Sequence, residues 1–521
     1  MSAVEAAARP RRNIELVLLV LALAVGNGAN AMTSINQGLS LGSDFWMQTG
    51  IVCAASLAVH VALRFRAKYA DPLILPIVVA LNGLGVAMIH RLDITASPVT
   101  DYGDAQARWT IIGMGLAIGV ILFLKDHRTL RRFTYISLIL SAVLLVLPLV
   151  PGITAGDVNG AQVWIRIGPA SFQPGEVAKI TIGVFFAGYL STNRDLILLA
   201  GRRLGKLQLP RFKDLGPMVV AWLASIGILI FQHDLGMSIL FFGIFISMIY
   251  VATSRASWAI LGVLLMFAGA MASSLIFPHI RLRIDGWLNA FDPEVFGRQY
   301  GGSYQIVQGL FGMANGGLIG TGMGQGRPDL VPFAHSDMII AAFGEELGLV
   351  GLFAIVVLYA LLVTRGMRAA IGARDAFGKL LACGLSAGIG LQCFVVIGGV
   401  TRLIPLTGLT TPFLAAGGSS LLANWIIVAL VLVISNAARR PVDTTPFSPD
   451  EAPRPSGGKK LDEAPRPSGG KRLDEAPRPS GGKKLDEAHL GPQTLHETPS
   501  VPPSSGRRSA TETTKTQVVK Q

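Results

Sequence analysis

Residues 235–253 read LGMSILFFGIFISMIYVAT, and this stretch decides the fold class, because its 19 residues carry no charged side chain. A helix rises about 1.5 Å per residue, so a run of this length crosses the hydrocarbon core of a bilayer, which is about 30 Å thick. Eleven further apolar stretches of similar length lie on either side of it. The predicted spans are 14–34, 46–65, 72–90, 109–125, 133–151, 176–192, 216–233, 235–253, 257–277, 338–364, 378–400 and 412–436.

The composition agrees with a membrane protein. Of the 521 residues, 51% are hydrophobic and 15% are charged, whereas soluble chains carry about 25% charged residues. This excludes a soluble enzyme. The apolar residues follow one another without the period-two alternation of a barrel strand, so the backbone must satisfy its hydrogen bonds within helices. The sequence predicts an all-α polytopic membrane protein with about twelve transmembrane helices.

The distribution of positive charge predicts the orientation of these helices. One set of loops carries 23 Lys and Arg residues and the alternate set carries 8. Because positive residues accumulate on the cytoplasmic side, both termini are predicted in the cytoplasm. The loops 91–108, 152–175, 278–337 and 401–411 then face outward. The net charge of +13 is therefore a topology signal, and it indicates membrane lipid rather than nucleic acid as the partner.

The composition changes near the C-terminus to Pro, Gly, Ser and mixed charge. A twelve-residue unit, DEAPRPSGGK(K/R)L, begins at Asp450, Asp462 and Asp474. Such a segment cannot bury a core, so residues 438–521 are predicted to be a disordered cytoplasmic tail. Two roles stay open for it: a repeat expansion without a site of its own, or a segment that docks a partner or is regulated by phosphorylation.

Few ionisable residues lie within or against the predicted spans, where they are expensive and often functional. Glu176 and Lys179 share one helix face at the start of the sixth span. They form either a structural pair or, at an outward helix N-terminus, a pocket for a phosphate. Asp234 is predicted to cap the helix that follows it. Of Glu345 and Glu346, one is expected to point into the bundle or to pair with a cation.

The outer loop 278–337 is the longest between predicted spans, and long loops in compact proteins are usually functional. It contains Arg281, Arg283, Asp285 and Asp292, followed by a glycine-rich stretch. Arginines beside a carboxylate at a bilayer surface suit a substrate that carries a diphosphate and a hydroxyl to be deprotonated. The alternative is a solvated loop with ordinary salt bridges.

Several chemistries lack support in the sequence. It contains no P-loop, and no His, Cys, Asp or Glu cluster has metal-ligand spacing. Cys53, Cys383 and Cys393 all fall in apolar runs, so neither a disulfide framework nor a redox pair is expected. No metal site and no cofactor are predicted, although the need for a divalent cation stays open.

Eight short motifs carry a family resemblance. They are QARWTIIG (106–113), NGAQVWIR (159–166), FQPGEVAK (172–179), HDLG (233–236), GSYQ (302–305), HSD (335–337), GEELG (344–348) and GGSS (417–420). In this order they resemble the shape, elongation, division and sporulation (SEDS) family of peptidoglycan glycosyltransferases. The resemblance runs from 72 to 437 and covers ten spans. It predicts a SEDS core at 72–437, with 1–71 adding a cytoplasmic segment and two extra helices.

The resemblance implies an activity and its partners. Such proteins polymerise lipid II on the outer face of the bacterial cytoplasmic membrane: the 4-hydroxyl of one lipid II attacks the growing glycan, which is carried on undecaprenyl diphosphate. A class B penicillin-binding protein, a transpeptidase, is the implied partner. The segment 401–408 and the loop 279–308 resemble the elongation branch of the family more than its division branch.

The resemblance also implies the site residues. The family pattern W-L-x-P-x-x-D-P matches Trp287-Leu-Asn-Ala-Phe-Asp292-Pro, although Asp292 lies one residue nearer to the tryptophan. Asp292 is therefore the implied general base, and Asp285, which precedes the tryptophan, is its rival. The implied substrate-binding residues are Arg166, Glu176, Lys179, Arg281, Arg283, Gln305, His335 and Arg402.

Two other functions remain as alternatives to an enzyme. Twelve spans also suit a lipid II flippase or another polytopic transporter, and a scaffold for other wall enzymes is a third option. Transporters place broken helices and charges near the bilayer midplane. The informative residues here are predicted at the outer surface, which favours the enzyme.

Overall fold

The computed structural model describes residues 10–441, except 97–99, 157–160, 169, 200, 205–206, 211–222, 225, 228–229 and 300. The predicted tail lies outside the described residues, apart from its first few positions. So does most of the predicted seventh span, 216–233.

Helices dominate the described chain. They are α1 (Arg12–Asn36), α2 (Ser43–Arg66), α3 (Ile74–Thr95), α4 (Tyr102–Phe123), α5 (Thr134–Val146), α6 (Pro174–Leu199), α7 (Leu235–Thr253), α8 (Ala256–Ile276), α9 (Pro278–Leu288), α10 (Pro293–Phe296), α11 (Tyr304–Gly316), α12 (Ile339–Gly372), α13 (Ala376–Val400) and α14 (Gly418–Arg439). Short 3₁₀ turns, His127–Phe133 and Leu147–Leu149, extend α5 at both ends, and a third is Pro328–Leu330. Two antiparallel hairpins pair β1 (Ile165–Ile167) with β2 (Ala170–Phe172), and β3 (Gly201–Leu204) with β4 (Leu207–Pro210).

Within the described residues, 10 helices are long and apolar enough to cross a membrane. The 26-residue helix α6, which contains the predicted sixth span, is not among these ten. The predicted all-α polytopic membrane fold is confirmed, and the chain is a multi-pass membrane protein.

Burial separates the helices of the core from those that face lipid. In the most apolar stretch of α3, 89% of the residues are buried, against 6% in α8, where Phe267 and Leu275 are exposed. The core includes buried polar contacts: Trp425 Nε1 donates to Asn82 Oδ1 at 3.2 Å, and Asn82 Nδ2 donates to Thr110 Oγ1 at 2.8 Å. These contacts lock α3, α4 and α14 together.

The two N-terminal helices pack on this core. At the crossing of α1 and α3, a Cβ added to Gly26 would lie 2.8 Å from the Cα of Gly83. In a bilayer, an apolar side chain gains little from contacting protein instead of lipid, so helices associate through close packing. Small residues allow this because they let the two backbones approach. A buried cluster joins the first turn of α1 to α2: Arg12 pairs with Glu15, and Glu15 also contacts His60 Nδ1 at 2.7 Å.

Some predicted boundaries were wrong. Helix α4 begins at Tyr102 rather than 109, because its first two turns are polar and do not read as an apolar span. Helix α14 begins at Gly418 rather than 412. The outer loop 278–337 is not irregular throughout, since it contains α9, α10 and α11.

Candidate active site

The first turn of α6 places Glu176 and Lys179 where α6, α13 and α14 meet. Lys179 Nζ donates to Glu176 Oε2 at 2.8 Å, to Gln392 Oε1 at 3.0 Å and to Asn424 Oδ1 at 3.4 Å. Both charged side chains are buried. An ammonium group has three donors, and all three have partners inside the protein. The geometry therefore favours the structural pair over an open phosphate pocket.

Asp234 caps the next described helix, α7, as predicted: its Oδ1 accepts from the backbone N of Met237 at 2.9 Å. Burial raises the pKa of Asp234 above its ordinary value, while the Arg283 guanidinium lowers it and the Glu176 carboxylate raises it further. Arg283 on α9 and Glu176 on α6 therefore both lie close enough to Asp234 to affect its pKa.

Arg283 on α9 lies near a second carboxylate. Its Nη1 donates to the carbonyl of Thr407 at 3.2 Å. Asp337 is buried, and burial raises its pKa to about 6, although Arg283 opposes this shift. Asp337 was not among the predicted site residues, although the HSD motif at 335–337 was the available signal. The Arg283 guanidinium thus opposes the rise in the pKa of both Asp234 and Asp337, which lie more than a hundred residues apart in the chain.

The two candidate aspartates of the outer loop differ in their surroundings. Asp292 is exposed, and its Oδ1 accepts from the backbone N of Glu294 at 2.8 Å, which caps α10. Asp285 pairs with Arg298 and accepts from Asn289 Nδ2 at 2.7 Å. These hydrogen bonds lower the pKa of Asp285. Two side chains therefore already engage the carboxylate of Asp285.

Two predicted substrate-binding arginines bind backbone carbonyls instead. Arg402 donates to the carbonyls of Trp287 and Leu288, both at 2.8 Å, and lies over the ring of Phe291 at 5.3 Å. Arg281 donates to the carbonyls of Ser274 and Leu275 at the end of α8. Basic side chains commonly satisfy the last carbonyls of a helix in this way. In this state both arginines position the loop, and their role in substrate binding stays a prediction.

The last three predicted residues lie on β1, at the start of α11 and in the turn before α12. Arg166 is exposed on β1, Gln305 is half-buried at the start of α11, and the ring of His335 stacks on Tyr102 with centroids 4.6 Å apart. Among the contacts of the described chain, none joins Arg166 or Gln305 to another predicted site residue. Their role in binding also stays a prediction.

The acidic pair of α12 has partners, as expected. Glu346 Oε1 accepts from Arg91 Nε at 3.0 Å, and its Oε2 accepts from the backbone N of Gly324 at 2.8 Å. Glu345 Oε1 accepts from Asn315 Nδ2 and from the backbone N of Arg327. This pair holds the glycine-rich stretch of the outer loop against α12. In the described part of the chain, no group of three or more His, Cys, Asp or Glu side chains could hold a metal ion.

Comparisons with known proteins define the class. The family model of the FtsW, RodA and SpoVE cell cycle proteins matches residues 72–440. The chain is 44% identical over 441 residues to the peptidoglycan glycosyltransferase RodA of Mycobacterium tuberculosis, covering 84% of this chain and 93% of that protein. It is 33% identical over 379 residues to the probable peptidoglycan glycosyltransferase FtsW of the same organism, covering 70% and 67%.

One solved structure is similar to this fold. It is described as "Structural coordination of polymerization and crosslinking by a peptidoglycan synthase complex", with a TM-score of 0.57, 25% identity, and coverage of 71% of this chain and 98% of that chain. The chain belongs to the FtsW, RodA and SpoVE family of peptidoglycan glycosyltransferases. The predicted family, its RodA branch and the predicted enzyme class are confirmed.

Proposed function

We propose that this chain polymerises lipid II into glycan strands at the outer face of the cytoplasmic membrane, with Asp292 as the general base. One observation carries the choice of base: Asp292 is exposed in the outer loop, whereas Arg298 and Asn289 engage the carboxylate of Asp285. A base must be free to reach the hydroxyl that it deprotonates.

The reaction follows from this arrangement. Asp292 takes the proton of the 4-hydroxyl of the acceptor sugar as its oxygen bonds to the anomeric carbon of the growing glycan. The bond from that carbon to the diphosphate breaks on the opposite face, and undecaprenyl diphosphate leaves with the electron pair, which inverts the configuration. Arg283 and Arg166 are the candidates to stabilise the charge that develops on the diphosphate. Glu176 and Lys179 form a buried pair that joins the start of α6 to α13 and α14.

The organisation of the chain extends this proposal. Residues 72–437 form the glycosyltransferase core, 1–71 add two helices, and 438–521 form a cytoplasmic tail. Both termini lie in the cytoplasm, consistent with 23 positive residues in that set of loops against 8 in the other. The partner is a class B penicillin-binding protein, supported by the similarity to a complex that couples polymerization to crosslinking.

The test uses purified protein, alone and with that transpeptidase, incubated with labelled lipid II in detergent. Wild-type protein should yield glycan polymer, whereas a flippase would yield none because it forms no glycosidic bond. Asp292→Asn should lower the rate by roughly 100- to 10,000-fold, the usual contribution of a general base. The matched control, Asp285→Asn, should retain most activity, because the partly exposed pair of Asp285 with Arg298 contributes little to stability.

Other outcomes would change the identity of the base or the class of function. Polymer from Asp292→Asn but not from Asp285→Asn would move the base to Asp285. Full activity in both variants would remove the base from this loop altogether. An inactive but folded wild-type protein, with and without its partner, would favour the transporter.

A further inference from the structure

Three aromatic rings form an open surface where the outer loop meets the start of α4. The ring of Tyr102 stacks on that of His335, with centroids 4.6 Å apart and planes 13° apart. The ring of Phe333 lies 6.5 Å from His335. Tyr102 is 42% exposed and Phe333 is 43% exposed, so both present ring surface to an incoming molecule. We call Tyr102, Phe333 and His335 the aromatic platform.

The backbone holds this platform in place. Phe333 has a φ of +58°, in the left-handed region that bulky side chains rarely adopt. The carbonyl of Phe333 accepts from the backbone N of Ser336 and Met338, and the carbonyl of His335 accepts from the backbone N of Ala416 at 2.8 Å. A tight turn tied to a neighbouring loop therefore fixes the direction of both side chains.

Two residues of the platform and the candidate base belong to the same segment between membrane spans. Phe333 and His335 belong to the outer loop that also contains Asp292, so they lie on the same side of the membrane. Two residues beyond His335, buried Asp337 lies near Arg283. Polar side chains flank Tyr102 in the chain: Asp104 is exposed in the first turn of α4, and Asp101, which precedes α4, forms an exposed pair with Arg108 at 3.4 Å. We call these three side chains the polar rim.

We propose that the aromatic platform binds a sugar ring of the lipid-linked saccharide, an inference that rests on the proposed function. A sugar presents a flat face of C–H groups to an aromatic ring and hydroxyls to the surrounding polar side chains. Binding sites of this kind combine apolar and aromatic surface with a few polar groups that fix orientation. An isoprenoid chain has no hydroxyl groups, so it could form no hydrogen bonds with the polar rim.

The test removes the rings but keeps apolar side chains. Tyr102→Leu and Phe333→Leu should each raise the Kd for labelled lipid II, and its KM in polymerisation, by about 3- to 10-fold, as expected for one aromatic contact. The kcat should stay within about twofold of the wild type. Tyr102→Phe and Phe333→Tyr keep a ring and should bind lipid II as the wild type does. Tyr135→Leu removes an exposed ring far along the chain from the site, in α5, and serves as a control.

A sugar-free competitor separates a sugar site from a lipid anchor. Undecaprenyl diphosphate should inhibit wild type and both leucine variants equally. If the leucine variants bind lipid II as tightly as the wild type, or lose both ligands equally, the platform is not a sugar site. The Kd does not depend on turnover, so it tests the platform even if the protein forms no polymer, an outcome that would count against the proposed function alone.

Discussion

At the scale of single residues, the chemistry depends on which charged groups already have partners. Lys179 contacts Gln392 and Asn424, which follow it by more than two hundred residues. The sequence showed that Glu176 and Lys179 share a helix face, because a spacing of three residues is a local property. The sequence could not show that the side-chain amides of Gln392 and Asn424 complete the hydrogen bonds of the Lys179 ammonium group. These hydrogen bonds favour a structural role for the pair.

Removing one member of this buried pair should destabilise the protein. Lys179→Met leaves the Glu176 carboxylate buried without its cation, which typically costs about 3–5 kcal/mol. The double variant Glu176→Gln/Lys179→Met removes both charges and should recover much of the loss. Thermal unfolding in detergent measures both variants. A Lys179→Met protein as stable as the wild type would mean that solvent reaches the pair.

Asp337 should make stability depend on pH. Its pKa is raised to about 6 from 3.8, so the folded state holds a proton that the unfolded state releases between these values. Stability therefore falls as pH rises from about 4 to 6, by at most about 3 kcal/mol. Asp337→Asn cannot lose this proton, so it should raise the Tm at pH 7.5 more than at pH 5. Equal changes at the two pH values would contradict the assignment.

At the scale of elements, apolar runs predicted the spans well where a helix lies wholly in the bilayer. The run 235–253 matches α7 at both ends. Prediction failed where helices extend into water, as in the polar first turns of α4. The helices of the outer loop were also missed, because their positions depend on contacts such as that between Arg402 and the carbonyl of Trp287.

The crossing of α1 and α3 gives a prediction with a control on the same helix. Gly26→Ala places a methyl group 2.8 Å from the Cα of Gly83, so the helices must separate. Overpacking of this kind typically costs about 1–3 kcal/mol. A Cβ at Gly28 meets nothing within 4 Å, and Gly28→Ala should be neutral or stabilising because alanine favours helix. The Tm of each variant in detergent distinguishes them; a similar Tm for both would show that the crossing is loose.

At the scale of the whole molecule, the residues of the candidate site come from elements that are far apart in the chain. They must all lie on the same side of the membrane. Glu176 at the start of α6 and Arg283 on α9 both affect the pKa of Asp234, which precedes α7. The loops that carry them therefore meet on one side. Positive-residue counts predict that this side is outward, but a count of charges fixes orientation only statistically.

The orientation can be measured at two positions separated by one crossing. Ser171 is exposed on β2, beside the site, and Thr129 is exposed in the turn before α5. In a Cys53→Ser background, which removes the partly exposed native thiol while Cys383 and Cys393 stay buried, Ser171→Cys should react with an impermeant maleimide in intact cells. Thr129→Cys should react only after permeabilisation. The reverse pattern would place Asp292 in the cytoplasm, where a lipid II polymerase that builds the outer wall could not use it.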